Sequence, residues 1–159
     1  MIIAGSHAGV SVGADGGTHQ AIEDIAITRV IPNMVVISPC DAVEARKATI
    51  LSAEIKKPVY LRLAREKTPI MTTDETPFEI GKAQLVFGGT EVKADVGIVA
   101  TGALLYKALK VADQLEKEGI DVKVLNISTI KPIDVEAVEN IARTCGAIVT
   151  IEEHQIAGG

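Results

Sequence analysis

Tryptophan is absent from the 159 residues, and tyrosine and phenylalanine occur only twice each. Stacking on nucleic-acid bases has almost no side chains to use. Basic residues are not in excess either: 16 Lys and Arg stand against 21 Asp and Glu, interleaved along the chain, for a formal charge of −5. That leaves no positive stripe for a phosphodiester backbone, so nucleic acid is not an expected partner. The two cysteines, Cys40 and Cys145, lie far apart in no metal-ligand spacing and are too few for a secreted disulfide scaffold. Reduced thiols and a cytoplasmic location are the expectation. The opening MIIAGSHAG meets a His and two glycines before it reaches signal-peptide length, and no apolar run approaches ~18 residues. No export or membrane segment is expected.

What the chain does have is aliphatic. Apolar residues make up 47%, nearly all Ile, Val, Leu and Ala, with 23% charged. This is a globular balance, suited to the interior of a parallel sheet covered by helices. Strand-length apolar runs alternate with helical patterns throughout, the mark of an α/β fold with two consecutive, mostly parallel sheet units and flanking helices. Met1 to Ala4 reads as the end of a strand. A helix is predicted from Thr18, on the spacing of Ile22, Ile25 and Ala26, until Pro32 stops it. A strand at 34–38 follows, then a helix to about Ile55 with Asp41 and Glu44 as a capping box, then a strand at 58–63.

Periodicity vanishes between Ala64 and Glu79, where Pro69, Pro77, threonines and charges take over. The expected organisation is therefore a first unit at 1–66, a linker at 67–79 and a second unit at 80–159. In the second unit strands are predicted at 84–87, 96–100, 121–126 and 147–151. A helical stripe of Leu104, Ala108, Val111 and Leu115 closes at Gly119, and Asp134 caps a shorter helix. Doubly wound sheets carry roughly five or six strands. The first unit shows about three and no covering helix follows the last strand, so a piece of a longer chain is expected.

Chemistry is concentrated in SHAGVSVGADGGTHQAIEDIA, which places Gly5, Gly9, Gly13, Gly16 and Gly17 with His7, His19 and Asp15 in a strand-to-helix connection. Glycines there let a ligand approach the main chain, and ligands of α/β sheets bind at such strand ends. Any one of these residues alone is better explained as a turn former or a satisfier of loop backbone.

Together they match a family. Ser6-His7-Ala8-Gly9, Gly13 to Gln20 and Ile31-Pro32-Asn33-Met34 resemble the pyrimidine-binding domain of transketolases. Val99 to Gly102, the segment 121–132 and Ile151-Glu152-Glu153-His154 resemble the C-terminal domain of the same enzymes. The resemblance implies thiamine-diphosphate chemistry that moves a two-carbon ketol unit between sugar phosphates. It implies that His7 and Arg65 hold the sugar's phosphate, that Asp15 accepts from a substrate hydroxyl, and that His19 lies beside the reacting carbon, where an imidazole can donate a proton to a developing alkoxide and take it back. Arg65 is also chemically apt, since a guanidinium offers phosphate a planar fork; Arg62 is the weaker competitor. His19, at the start of the predicted helix, would meet amide groups that favour its neutral ring.

The family pattern Gly-Glu-Asp-Gly-Pro-Thr-His is altered here, with Ala14 for the Glu and Gly17 for the Pro. The Glu that activates the aminopyrimidine and the residues that hold the diphosphate through Mg²⁺ are expected outside this chain. Cofactor ligands are therefore not assigned, and no metal ligand is named. Ala14-Asp15-Gly16 lacks the leading Gly of the metal motif, and Glu152-Glu153-His154 reads as a polar strand-end loop. The expectation is a fragment or subunit of a transketolase-type enzyme, inactive alone. It would pair with an N-terminal thiamine-diphosphate-binding half in a homo- or hetero-oligomer. Rival readings are a 2-oxoacid dehydrogenase β subunit, a deoxyxylulose-phosphate synthase, or a non-catalytic dimerisation or docking module.

Overall fold

A computed structural model describes residues 1–90 and 92–159. The first unit holds β1 (Ile2–Gly5), α1 (Asp24–Arg29), β2 (Val35–Ile37), α2 (Ala42–Glu54) and β3 (Val59–Arg62). After it come β4 (Gln84–Phe87), β5 (Ala94–Ala100), α3 (Leu105–Lys117), β6 (Val122–Asn126), β7 (Thr129–Lys131), α4 (Val135–Thr144) and β8 (Cys145–Ile151). Two four-stranded sheets result, ordered β1-β3-β2-β7 and β4-β6-β5-β8. All pairs are parallel except β2 with β7 and β4 with β6. The fold is the α/β architecture expected of the composition.

The apolar runs find cover on both faces, which is why β2 and β3 are buried at every position without alternation. On one face Val35, Ile37, Val59 and Leu61 pack with Ala48 of α2. On the other, Met34, Val36 and Tyr60 meet Ile130. In the second sheet Ile98, Ala100, Val122 and Val124 pack with Leu105, Ala108 and Ala112 of α3. The buried face of α3 thus differs from the predicted stripe: Val111 is exposed and Ala112 is buried. Leu104 belongs to a 3₁₀ turn at Gly102–Leu104, so the helical period begins one residue later.

α2 begins as its sequence dictates. Asp41 Oδ1 accepts from the Glu44 amide at 2.9 Å, and Glu44 Oε2 accepts from the Cys40 amide at 2.6 Å. Asp41 does more than cap. Its Oδ2 accepts from the amides of Met71 and Thr72, each at 2.7 Å, so the segment of linker composition is tied to α2. Burial works to raise the Asp41 pKa, but the amides of Glu44, Met71 and Thr72 and the Thr72 hydroxyl outweigh it and hold the carboxyl below its usual range.

Two expectations are corrected. The helix predicted from Thr18 starts only at Asp24. Gly9 and Ala21 exchange backbone hydrogen bonds at 2.8 and 3.1 Å, and this pairing draws the chain before α1 into an extended path. The strand Thr129–Lys131, unmarked in the sequence, adds to the first sheet although it follows β6 in the chain. Behind it Glu44 Oε1 accepts from Asn126 Nδ2 at 3.1 Å and Ser128 Oγ at 2.6 Å, sealing the seam between the sheets.

Candidate functional site

β1 and β3 are parallel neighbours, with Gly5 opposite Arg62. Their following loops therefore leave the sheet at the same end. Backbone bonds continue the pairing beyond the strands, from the Leu63 amide to Gly5 O at 2.8 Å and from the Ala8 amide to Leu63 O at 3.2 Å. This register delivers Arg65 to the glycine-rich loop. Its Nε lies 2.8 Å from Asp15 Oδ2 in an ion pair, and its Nη1 donates to Glu66 Oε1 at 3.0 Å. Arg65 Nη2 makes no hydrogen bond among the described residues. His7 Nδ1 lies 3.9 Å from the same Asp15 oxygen.

Three of the four sequence-predicted residues therefore converge on one partly exposed patch. His7 holds a left-handed backbone with φ of 61°, costly for a residue with a Cβ. Asp15 ends a 3₁₀ turn, Gly13–Asp15, and the Cβ missing at Gly13 would fall 3.0 Å from Arg65 Nη1. Glycine is what lets the guanidinium lie against the loop.

His19 stands apart. It closes a second 3₁₀ turn, Gly17–His19, exposed to solvent, and its Nδ1 lies 3.1 Å from Thr18 Oγ1. No hydrogen bond or ion pair joins it to the other three among the described residues. The argument from a helix start does not apply to it, because α1 begins only at Asp24. None of the main cavities among the described residues holds all four. Arg65 lines a cleft of about 360 Å³ with Asp41, Lys67 and Thr68, and His7, Asp15 and His19 are not on its walls.

Arg62 has a structural occupation. It is buried and grips Asp24 twice, Nε to Oδ2 at 2.8 Å and Nη2 to Oδ1 at 3.1 Å, while Tyr60 Oη donates to the same carboxylate at 2.8 Å. Burial pushes the Asp24 pKa up, but the hydrogen bond and charge of Arg62 and the Tyr60 hydroxyl bring it below the ordinary value. Tyr60 itself is raised, first by burial and then by Asp24. Cys40 is equally unsuited to chemistry: burial, then Glu44 and Asp41, push its thiol far above the ordinary range.

The reading of sequence missed residues that come from the far end of the chain. Arg62 Nη2 also donates to Glu153 O at 2.7 Å, Ser11 Oγ donates to the Glu153 carboxylate, and the Ala26 amide donates to His154 Nε2 at 3.3 Å. Their only signal was the acidic strand end Glu152-Glu153-His154 itself. Among the described residues no three His, Cys, Asp or Glu side chains converge as a metal ion would need, and no helix is long and apolar enough to cross a membrane.

Comparison with known proteins identifies the family of the chain. Residues 1–71 match the family described as transketolase, pyrimidine binding domain, and residues 81–159 match transketolase, C-terminal domain. An apulose-4-phosphate transketolase subunit of Phocaeicola vulgatus is 40% identical over 99% of this chain and 49% of its own length. The transketolase-like protein 1 of Bos taurus is also 40% identical, over 98% of this chain and 26% of its own. A solved structure titled split gene transketolase, inactive beta4 tetramer, superposes with a TM-score of 0.88 at 44% identity, covering 99% of this chain and 50% of that one. The chain thus spans half or less of the length of these relatives. With both halves matched in order and the fold shared, the chain belongs to the transketolase family, of which it is a C-terminal part.

Proposed function

We propose that this chain is the sugar-phosphate-recognising part of a two-carbon ketol transferase, inert alone and completed by an N-terminal thiamine-diphosphate-binding half in an oligomer. Within it we read residues 1–66 as the end of the pyrimidine-binding domain, 67–79 as the connection, and 80–159 as the C-terminal domain. The observation that carries the reading is the meeting of Arg65, Asp15 and His7 at the shared end of β1 and β3. Arg65, with one nitrogen free among the described residues, and His7 supply cationic or hydrogen-bond-donating edges to a phosphate. Asp15, already oriented by Arg65, has capacity left to accept from a sugar hydroxyl. His19, solvent-facing in its 3₁₀ turn, is the proton carrier at the substrate oxygen.

The family depends on thiamine diphosphate, with Mg²⁺ as the expected anchor of its diphosphate. The described residues do not fit that anchor, since no trio of ligating side chains converges, and no step through the cofactor is assigned to them. The relative titled an inactive tetramer supports a chain that needs a partner to work.

The test is to mix this chain with an N-terminal thiamine-diphosphate-binding half and follow ketol transfer between sugar phosphates. Turnover that appears only in the mixture supports the reading. A stable complex without turnover overturns it in favour of a docking module.

A further inference from the structure

The loop that carries His7, Asp15 and His19 is held from the opposite end of the chain. Its neck is closed by the paired backbones of Gly9 and Ala21. Against that neck lies Glu153, two residues beyond β8 of the other sheet. Ser11 Oγ donates to the Glu153 carboxylate. Gly9 has φ of +87°, and the Cβ it lacks would fall 2.8 Å from Glu153 Cβ and 3.0 Å from its Cδ. Only glycine leaves room for the Glu153 side chain there.

Glu153 is itself fixed. Its carbonyl accepts from Arg62 Nη2 at 2.7 Å, and Arg62 is locked by the two bonds to Asp24 at the start of α1. A rigid chain of contacts therefore runs from β3 through Arg62 to Glu153 and on to Ser11. The glycine-rich loop buries few side chains of its own beyond Ala8 and Val12, so contacts such as this one and the Arg65–Asp15 pair carry its placement.

We propose that Glu153 is a positioning residue: by gripping Ser11 and filling the space beside Gly9 it sets where the loop presents His7 and Asp15 to Arg65. Its consequence for sugar-phosphate recognition rests on the function proposed above. The grip itself does not.

Two readouts separate these. Amide hydrogen exchange of the chain is followed for Ser11→Ala, Glu153→Ala, Glu153→Gln and the Ser11→Ala/Glu153→Ala double variant. Loss of a charge-assisted hydrogen bond should speed exchange across residues 9–20 about tenfold. The double variant should be no faster than Glu153→Ala alone, and Glu153→Gln, which keeps an acceptor, should regain most of the protection. Unchanged protection, or effects that simply add, would overturn the grip. Should Glu153→Ala not fold, Ser11→Ala tests the same bond from the other side.

In the complemented enzyme, Glu153→Ala should raise KM about tenfold for a phosphorylated sugar and by clearly less for its unphosphorylated analogue, which keeps only the Asp15 contact. Equal losses for both sugars would overturn the link to phosphate recognition. An inert wild-type mixture would sink the transferase reading and that link together, while the exchange series would still decide the grip.

Discussion

Arg65 Nε and Asp15 Oδ2 form an ion pair at 2.8 Å, and the two residues reach each other from loops that follow adjacent parallel strands. The pair is about one-third exposed on each side, so its worth lies in geometry more than in stability. Arg65→Lys keeps the charge and loses the fork. In the complemented enzyme this should raise KM for a phosphorylated sugar roughly tenfold or more while the melting temperature barely moves. Steady-state kinetics beside a thermal melt would show both. An unaltered KM would remove Arg65 from phosphate recognition.

Asp24 and Arg62 form the opposite kind of pair, with side chains 13% and 7% exposed. Asp24→Asn leaves a buried guanidinium without its counter-charge and should cost about 3 kcal/mol or more. Urea unfolding measures it. Because the Asp24 pKa is lowered on folding, its contribution is present above the unfolded carboxylate value, near ~4, and fades as pH falls through the folded value. The wild-type chain should lose more stability than Asp24→Asn on acidification below about pH 4.

Asp41 joins a helix cap to the connection between the sheets. Asp41→Ala removes the acceptor for the amides of Glu44, Met71 and Thr72. A lost cap costs about 1 kcal/mol, and buried amides left without a partner add roughly as much again. Faster amide exchange at Met71 and Thr72 should accompany the loss, which distinguishes it from simple fraying of α2.

His19 is exposed, and among the described residues its side chain bonds only to its neighbour Thr18. His19→Ala should leave stability within ~0.5 kcal/mol and, in the complemented enzyme, reduce kcat roughly 100-fold. A wild-type kcat would take His19 out of the reaction.

Local patterns were legible wherever the interaction is itself local. The Asp41–Glu44 cap, the Gly119 helix end at φ of +82° and the apolar strands were all visible, because neighbours in sequence make these contacts. Errors arose where a distant partner intervened. Thr18 to Glu23 has helical spacing, yet Gly9 pulls Ala21 into an extended bridge, and the helix waits until Asp24. Thr129–Lys131 is too short and too polar to announce itself, and becomes a strand only because β2 offers an edge.

The candidate site divides in the same way. Residue types and spacing, with the family likeness they carry, singled out His7, Asp15, His19 and Arg65, and the alternation of apolar runs alone dictated an α/β fold, because burial and backbone freedom are written into each short stretch. Tertiary structure decided that Arg65 meets Asp15 while His19 does not, that Arg62 serves Asp24, and that Glu153 steadies a loop far from it in the chain. Those outcomes depend on strand register and on how the two sheets meet, and such long-range pairings leave no periodic trace in the residues that make them.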